Sequence, residues 1–542
     1  SLLAQDSIQS LVDQALQNGT SEVTIPPGTY RTSQTLFWQN RSDVTINAYG
    51  VTLVLEERRQ ALSLRNCTNF SIKGLTIDLD PLPFTQATIT GHAGDWSTVD
   101  AVIHDGYPRD PETSGTKVEV YRAADRLLVP DVWTAYGATV TMLSASTIRV
   151  TGLGGFNGRV SVGDKLVLDC PGIIPHGVVI DKCTNTSFED VTLHASTSFG
   201  FFETECSGNR YLGIRIVPGP PPIPGGEPRL RSLNADGIHS KHATVGPTIE
   251  HCTITSNGDD GVAINGDFDV VIATSGNTVT LCSKGEVQTE VGDTVRSFSQ
   301  AGVLNFESVV TAREAITGDT TALQTILDGL SLHNPGQFDD FYRLTLTDPI
   351  SAPAGSLICP VNRKGNGFAV RNNYIANKRA RGILIKAEDG LIEGNTIEWN
   401  HMGAIVIAPE VYWMESGYSR NMVIRNNTIR NCNLNPSNPG TGQAGVITVS
   451  ADAGSGFAPA GGHRTIEVTG NRIEGCLGVN ILATSISGLT ISGNTMTDTH
   501  SQLRTHGANR GVDTNATVSI INCDAVTLGQ NWVSPFPGPG VL

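Results

Sequence analysis

Three aspartates offer the plainest chemistry in this sequence. Asp236 lies in Leu233-Asn234-Ala235-Asp236-Gly237-Ile238-His239, and Asp259 and Asp260 are neighbours in Asn257-Gly258-Asp259-Asp260-Gly261-Val262. The two segments read alike, and Asp236 and Asp259 are 23 residues apart. Carboxylates held close together raise one another's pKa until one takes up a proton or a cation binds. A protonated carboxyl beside an ionised one is what inverting hydrolysis of a glycosidic bond needs: one donates to the leaving oxygen while the other activates water. Asp and Gly also suit tight corners. Doubling Asp in one corner and repeating it in the corner before is more than turn geometry asks.

The elements that must position these residues show in a repeat downstream. Val370-Arg-Asn-Asn-Tyr-Ile375, Ile392-Glu-Gly-Asn-Thr-Ile397, Ile424-Arg-Asn-Asn-Thr-Ile429, Val468-Thr-Gly-Asn-Arg-Ile473 and Ile491-Ser-Gly-Asn-Thr-Met496 share the pattern apolar-x-x-Asn-x-apolar. Asn373 and Asn395 are 22 residues apart and Asn471 and Asn494 are 23, with longer steps between the others. A period in this range marks a solenoid. The leucine-rich frame is missing, and units rich in Val, Ile, Thr and Asn predict short strands joined by Gly and Asn corners. The fold expected is all-β, a right-handed parallel β-helix in which equal positions of successive coils stack. On that register Asp236 and Asp259 lie one above the other, with Asp260 beside them.

The rest of the chain divides around this repeat. Helical spacing in Ile8-Gln-Ser-Leu-Val-Asp-Gln-Ala-Leu16 predicts a short N-terminal cap helix, because an open coil exposes unpaired strand edges. Residues 1–84 are assigned to this cap and the first coils, 85–169 to an inserted antiparallel β-module, and 170–267 to the coils carrying the aspartates. A second inserted module is expected at 268–360 and further coils at 361–542. Cys67 and Cys183 both begin Cys-Thr-Asn-x-Ser, so those segments become neighbouring coils once the first module is removed. The Pro-rich stretch Pro218–Pro228 is stiff and is expected to wall the cleft together with the second module. Pro535, Pro537 and Pro539 mark an irregular tail.

Composition limits the partners. The 542 residues carry a formal charge of -15 and a pI near 5.2, which argues against nucleic acid or anionic membrane as a partner, since either needs a basic face. No run of 18 apolar residues spans a bilayer. Seven Asn-x-Ser/Thr sequons, at Asn18, Asn40, Asn66, Asn69, Asn185, Asn426 and Asn515, point to a secreted glycoprotein, and Ser1 is read as a processed N-terminus. Of ten cysteines, most are expected to stack as small core residues and one or two pairs to form disulfides.

With these elements in place, the aspartate motifs resemble the three-aspartate site of β-helix glycosidases of the pectin-hydrolase type, polygalacturonases and α-1,3-glucanases among them. They are also similar to glycoside hydrolase family 110, the α-1,3-galactosidases that remove terminal galactose from blood-group-B-type structures. Arg379-Ala-Arg-Gly-Ile-Leu-Ile-Lys386, Gly390-Leu-Ile-Glu-Gly-Asn395, Glu410-Val-Tyr-Trp-Met-Glu-Ser-Gly417 and the two inserted modules favour the latter. No Gly-His-Gly follows the Asp-Asp coil, which departs from polygalacturonases. The resemblance implies a cofactor-free, metal-free inverting exo-α-glycosidase acting on an oligosaccharide or polysaccharide, as monomer or homodimer. It implies Asp259 as general acid and Asp236 and Asp260 as holders of the water, roles that the residues themselves leave exchangeable.

Candidate substrate contacts are His239, Arg379, Arg381, Lys386, Glu388 and Glu410, with Tyr412 and Trp413 suited to stacking on a pyranose. His239 and His242 fall on opposite faces of a strand, so no joint metal site is expected. A polysaccharide lyase, which would need Ca²⁺ or a basic residue against a uronate, and a non-catalytic carbohydrate-binding adhesin are the rival classes.

Overall fold

The computed structural model describes residues 7–154, 156, 158–172, 175–318, 320–435, 442–454, 456–500, 510–513 and 515–535. The tail prolines Pro537 and Pro539 lie outside the described residues. Each turn of the chain lays down three short strands separated by corners. Strands of successive turns pair in parallel and build three long sheets around one core. The parallel β-helix expected from the repeat is the fold, with the two antiparallel modules and the cap helix in place.

The repeat explains itself in the coils. Val370, Ile392, Ile424, Val468 and Ile491 lie over one another in one sheet, and Ile375, Ile397, Ile429, Ile473 and Met496 in the next. All are fully buried, so the two apolar positions of the motif are two walls of the core. The asparagine between them serves the corner. Asn395 Nδ2 donates to Val370 O at 2.9 Å and to Asn427 Oδ1 at 2.9 Å, and Asn427 repeats this towards Ile392 O and Asn471 Oδ1. A buried corner leaves backbone groups without ladder partners, and a stacked amide supplies them. The residue before it turns left-handed, φ 57° at Asn372 and 65° at Gly394, which is why only Asn or Gly recurs there.

The helix Ile8–Gln17 closes the N-terminal end. Ser7 caps it by accepting from Ser10 N at 3.1 Å, and Ile8 and Val12 are buried on the first coil. Gln9 Oε1 accepts from Phe37 N at 2.8 Å and Trp38 Nε1 donates to Asp13 Oδ1 at 3.2 Å, so the helix is bonded to the edge it covers.

Both modules are closed six-stranded antiparallel barrels. The first runs from Phe84–His92 to Lys165–Asp169, and the coil strands Leu62–Arg65 and Val178–Asp181 on either side of it pair directly. The second runs from Asp269–Ser275 to Leu357–Pro360, and Val262 still faces Ile383 across it. The helix Thr320–Leu327 packs Leu323 and Leu327 into this second barrel with Phe268 and Phe341, a feature the strand alternation did not announce.

The expected disulfides do not form: all ten cysteines are free thiols. Cys67 N donates to Cys183 Sγ at 3.3 Å and Cys183 N to Cys206 Sγ at 3.4 Å, and Cys432 N to Cys476 Sγ at 3.3 Å. Stacked in register, each sulfur serves the backbone of the adjacent coil. No helix among the described residues is long and apolar enough to cross a membrane.

Candidate active site

A column of glycines sets the register of the site. Gly177, Gly200, Gly237 and Gly261 enter successive strands of one sheet, and their N–H groups donate to Phe199 O at 2.8 Å, Asp236 O at 2.8 Å, Asp260 O at 2.9 Å and Arg381 O at 3.0 Å. A Cβ on Gly237 would meet Gly261 O at 2.5 Å, and one on Gly261 would meet Gly382 O at 2.5 Å. Only glycine lets the coils approach this closely. The residues just before the glycines therefore form one row: His176, Phe199, Asp236, Asp260 and Arg381.

This row corrects the expected stacking. Asp236 lies beneath Asp260, 24 residues on, and it is Asp259 that stands beside the row. The ladder matches Asp-Gly to Asp-Gly, whereas the sequence comparison had aligned the first aspartate of each motif.

The three carboxylates form one cluster, with an oxygen from each within 4.8 Å of the others. Asp236 Oδ1 accepts from Asp260 N at 3.1 Å, and its Oδ2 bonds His239 Nδ1 at 2.8 Å. Asp260 Oδ1 accepts from Arg381 N at 2.8 Å and lies 3.3 Å from Arg381 Nε. Asp259 Oδ1 accepts from Arg379 Nη2. The Asp259 side chain is 32% exposed, against 7% for Asp236 and for Asp260, so Asp259 is the carboxylate open to a ligand.

Electrostatics separate the pair. Burial pushes Asp260 up; Arg381 opposes this and the charges of Asp259 and Asp236 add to it, leaving its pKa at about 7. Burial also opposes ionisation of Asp259, but Arg379, Arg381 and Lys117 outweigh it and hold the group below the ordinary carboxylate value. The cluster thus holds its proton on the Asp260 side.

Four cations surround the cluster, two of which motif reading missed. Lys378, directly before Arg379, donates to the carbonyls of Asp259 and Arg381, and its burial lowers its pKa to about 8. Lys117 comes from the first barrel and donates to Asn234 O. Tyr136 of the same barrel lies under the Arg379 guanidinium, 5.5 Å from it. No local signal marks Lys117 or Tyr136, because only the return of the barrel onto the coils brings them here. The Pro218–Pro228 stretch packs against that barrel at its end: Tyr107 Oη donates to Glu227 O at 2.8 Å and Gln86 Nε2 to Pro228 O at 3.1 Å.

The other predicted contacts divide into three groups. His239 is held between Asp236 and Asn265, whose Nδ2 is 3.2 Å from Nε2, while His242 turns away to Asp267 at 3.0 Å. Arg381 continues into a chain of ion pairs: Arg381 Nη2 to Glu410 at 2.9 Å, Lys386 Nζ to Glu410 at 3.0 Å and to Glu415 at 2.6 Å. Burial opposes ionisation of Glu410, yet Arg381 and Lys386 bring its pKa down to about 2. Glu410 then opens onto a cleft of about 720 Å³ that Tyr412, Trp413, Gln443 and Leu330 also line, with Tyr412 50% and Trp413 45% exposed. Glu388 is not drawn into this chain. It bonds Arg296 Nη1 at 2.6 Å and Lys364 Nζ at 2.8 Å and ties the second barrel to the coils.

The three carboxylates have the donor set of a cation site, but Lys117, Lys378, Arg379 and Arg381 already balance their charge. The cluster fits protons better than a divalent ion.

The family described as "Right handed beta helix region" matches residues 361–534. Alpha-1,3-galactosidase B of Bacteroides thetaiotaomicron is 22% identical over 514 residues, covering 89% of this chain and 78% of that protein. Alpha-1,3-galactosidase B of Akkermansia muciniphila is 26% identical over 280 residues, 50% of this chain and 32% of that one. A solved catalytic domain of a family 87 alpha-1,3-glucanase in complex with tetrasaccharides aligns with a TM-score of 0.45 and 9% identity, over 99% of this chain and 65% of that one. The resemblance to α-1,3-galactosidases read from the aspartate motifs is thus supported by a relative of that name aligned along 89% of the chain.

Proposed function

We propose that this protein is a glycoside hydrolase that removes a terminal α-1,3-linked galactose from an oligosaccharide outside the cell, with inversion and without a metal. The carrying observation is the cluster of Asp236, Asp259 and Asp260, oxygens within 4.8 Å of one another, on rigid coils. The sugar class comes from the named relatives.

Asp259 is the proton donor in this reading. The proton belongs to the coupled cluster and not to one residue, and exposure decides which carboxyl can hand it to a leaving oxygen. Asp236 and Asp260 hold the water. A water bonded to two carboxylate oxygens holds them at most about 5.6 Å apart at hydrogen-bond lengths, a limit that the oxygens of this cluster meet. The spacing is shorter than the roughly 6.5–9.5 Å of a two-carboxylate inverting pair; inversion rests on the third carboxylate and on the resemblance. Arg379, in releasing Asp259, and Arg381, His239 and Glu410, by hydrogen bonding, orient the sugar.

Lys378, whose lowered pKa would suit a lyase base, is fully buried and donates to two carbonyls.

The test is a screen of nitrophenyl α-glycosides and α-1,3-galactosyl oligosaccharides, with and without chelator, following the first-formed anomer by proton NMR. Release of β-galactose as the only early product, undiminished by chelator, is expected. Retention of the α-anomer rejects the mechanism, and cleavage of α-glucosides alone rejects the sugar.

A further inference from the structure

We infer that the substrate runs from the aspartates towards the N-terminal coils, where His176, Phe199 and Phe202 form a platform for the sugar ring on the aglycone side of the scissile bond. This rests on the glycosidase reading above and adds to it residues that no motif marks. His176 and Phe199 occupy, on the two preceding coils, the same row position as Asp236 and Asp260. Coils are spaced by about 4.8 Å, so the rings begin one coil away from the catalytic cluster.

The rings pack as one cluster, with Phe199 sandwiched between two imidazoles and Phe202 tilted against its side. His176 stacks on Phe199 with centroids 4.5 Å apart and planes 10° off, and Phe199 stacks on His239 at 4.7 Å and 19°. Phe202 faces His239 across the ladder and lies 4.6 Å from His176. All three are half-exposed, whereas the inward residues of the same strands, Val178, Phe201 and Ile238, are fully buried. The core is therefore complete without them. Burial keeps His176 neutral, with a pKa of about 4. The uncharged, half-exposed rim of this cluster suits the C–H face of a pyranose; the charged groups on the other side of the aspartates, Arg381 and Glu410, suit the hydroxyls of the terminal sugar.

The experiment compares Phe202→Ala and His176→Ala with the natural protein on an α-1,3-galactosyl trisaccharide and on α-galactosyl fluoride, which has no sugar on the aglycone side. The ratio of kcat/KM for trisaccharide over fluoride is expected to fall about tenfold in either variant, mainly through KM. An unchanged ratio overturns the platform, and equal losses on both substrates overturn its assignment to the aglycone. A natural protein that cleaves neither substrate refutes the glycosidase reading and the platform with it. Phe202→Leu, which keeps apolar bulk without the ring, makes the same comparison if Phe202→Ala does not fold.

Discussion

Asp259 and Asp260 differ by one position and by almost everything that matters for chemistry. Asp260 is enclosed on the row and inclined to keep a proton; Asp259 is beside the row, charged and accessible. If Asp259 delivers the proton, Asp259→Asn should lose about 10³-fold in kcat on an α-1,3-galactosyl disaccharide and far less on α-galactosyl fluoride, whose leaving group needs no acid. Asp236→Asn and Asp260→Asn, which impair the water, should lose on both. Equal losses for Asp259→Asn on the two substrates would remove it as acid. The raised pKa of Asp260 also sets a pH limit. Activity that depends on the cluster's proton should fall as pH rises through about 7. Stability has the same sign: protonation of buried Asp260 favours the fold below the unfolded carboxyl pKa of about 3.9, and this contribution is lost as pH rises to about 7. Asp260→Asn should accordingly melt above the natural protein at pH 8, with the gap closing towards pH 4 in a melting series.

The coil works as an element because its corners are satisfied from within. Asn427 accepts from Asn395 N and Nδ2 and donates to Ile392 O. Asn427→Ala leaves these groups buried without partners, a loss of about 2–4 kcal/mol that urea unfolding would measure. Asn531 at the last described coil is part-buried, so Asn531→Ala should cost less. An equal cost would mean that burial of the corner is not what the ladder serves. The aspartate motifs break the asparagine pattern at a different corner, the one that opens each strand of the site-bearing sheet. There the glycines bring coils close enough for three carboxylates to meet.

At the scale of the whole molecule, the barrels complete the site. Arg231, fully buried, donates to Glu119 Oε2 at 3.0 Å and to Asp169, both on the first barrel, and to Asn234 Oδ1 at 3.2 Å, two residues before Asp236. It fastens the barrel that carries Lys117 and Tyr136 to the segment that carries Asp236. Arg231→Met strands two buried carboxylates and should cost about 3–5 kcal/mol. Faster amide exchange in Thr116–Tyr121 than in the coil strand Phe201–Thr204 is the expected signature; uniform exchange across both would show that barrel and coils do not separate. On the opposite side, Glu388, a residue expected as a sugar contact, pairs with Arg296 and Lys364 and fastens the second barrel.

The sequence by itself determined the coil. Apolar positions at a period near 23 and an asparagine fixed between them can be satisfied together only by stacked parallel strands, so the fold, the cap and the gaps filled by the modules were all legible. It also singled out the three aspartates, because doubling Asp in one corner and repeating it in another is more than turn geometry asks, and the structure brings them into one cluster. Register was decided in three dimensions: a ladder fits backbone to backbone, and a shift of one residue, invisible in a motif comparison, put Asp260 and not Asp259 above Asp236. Which charges surround the cluster was likewise a matter of tertiary structure, since Lys117 and Tyr136 reach it across more than 100 residues of chain by the closure of a barrel. So was the fate of the cysteines, whose spacing allows either stacking or bridging until the coils set each sulfur against its neighbour's backbone.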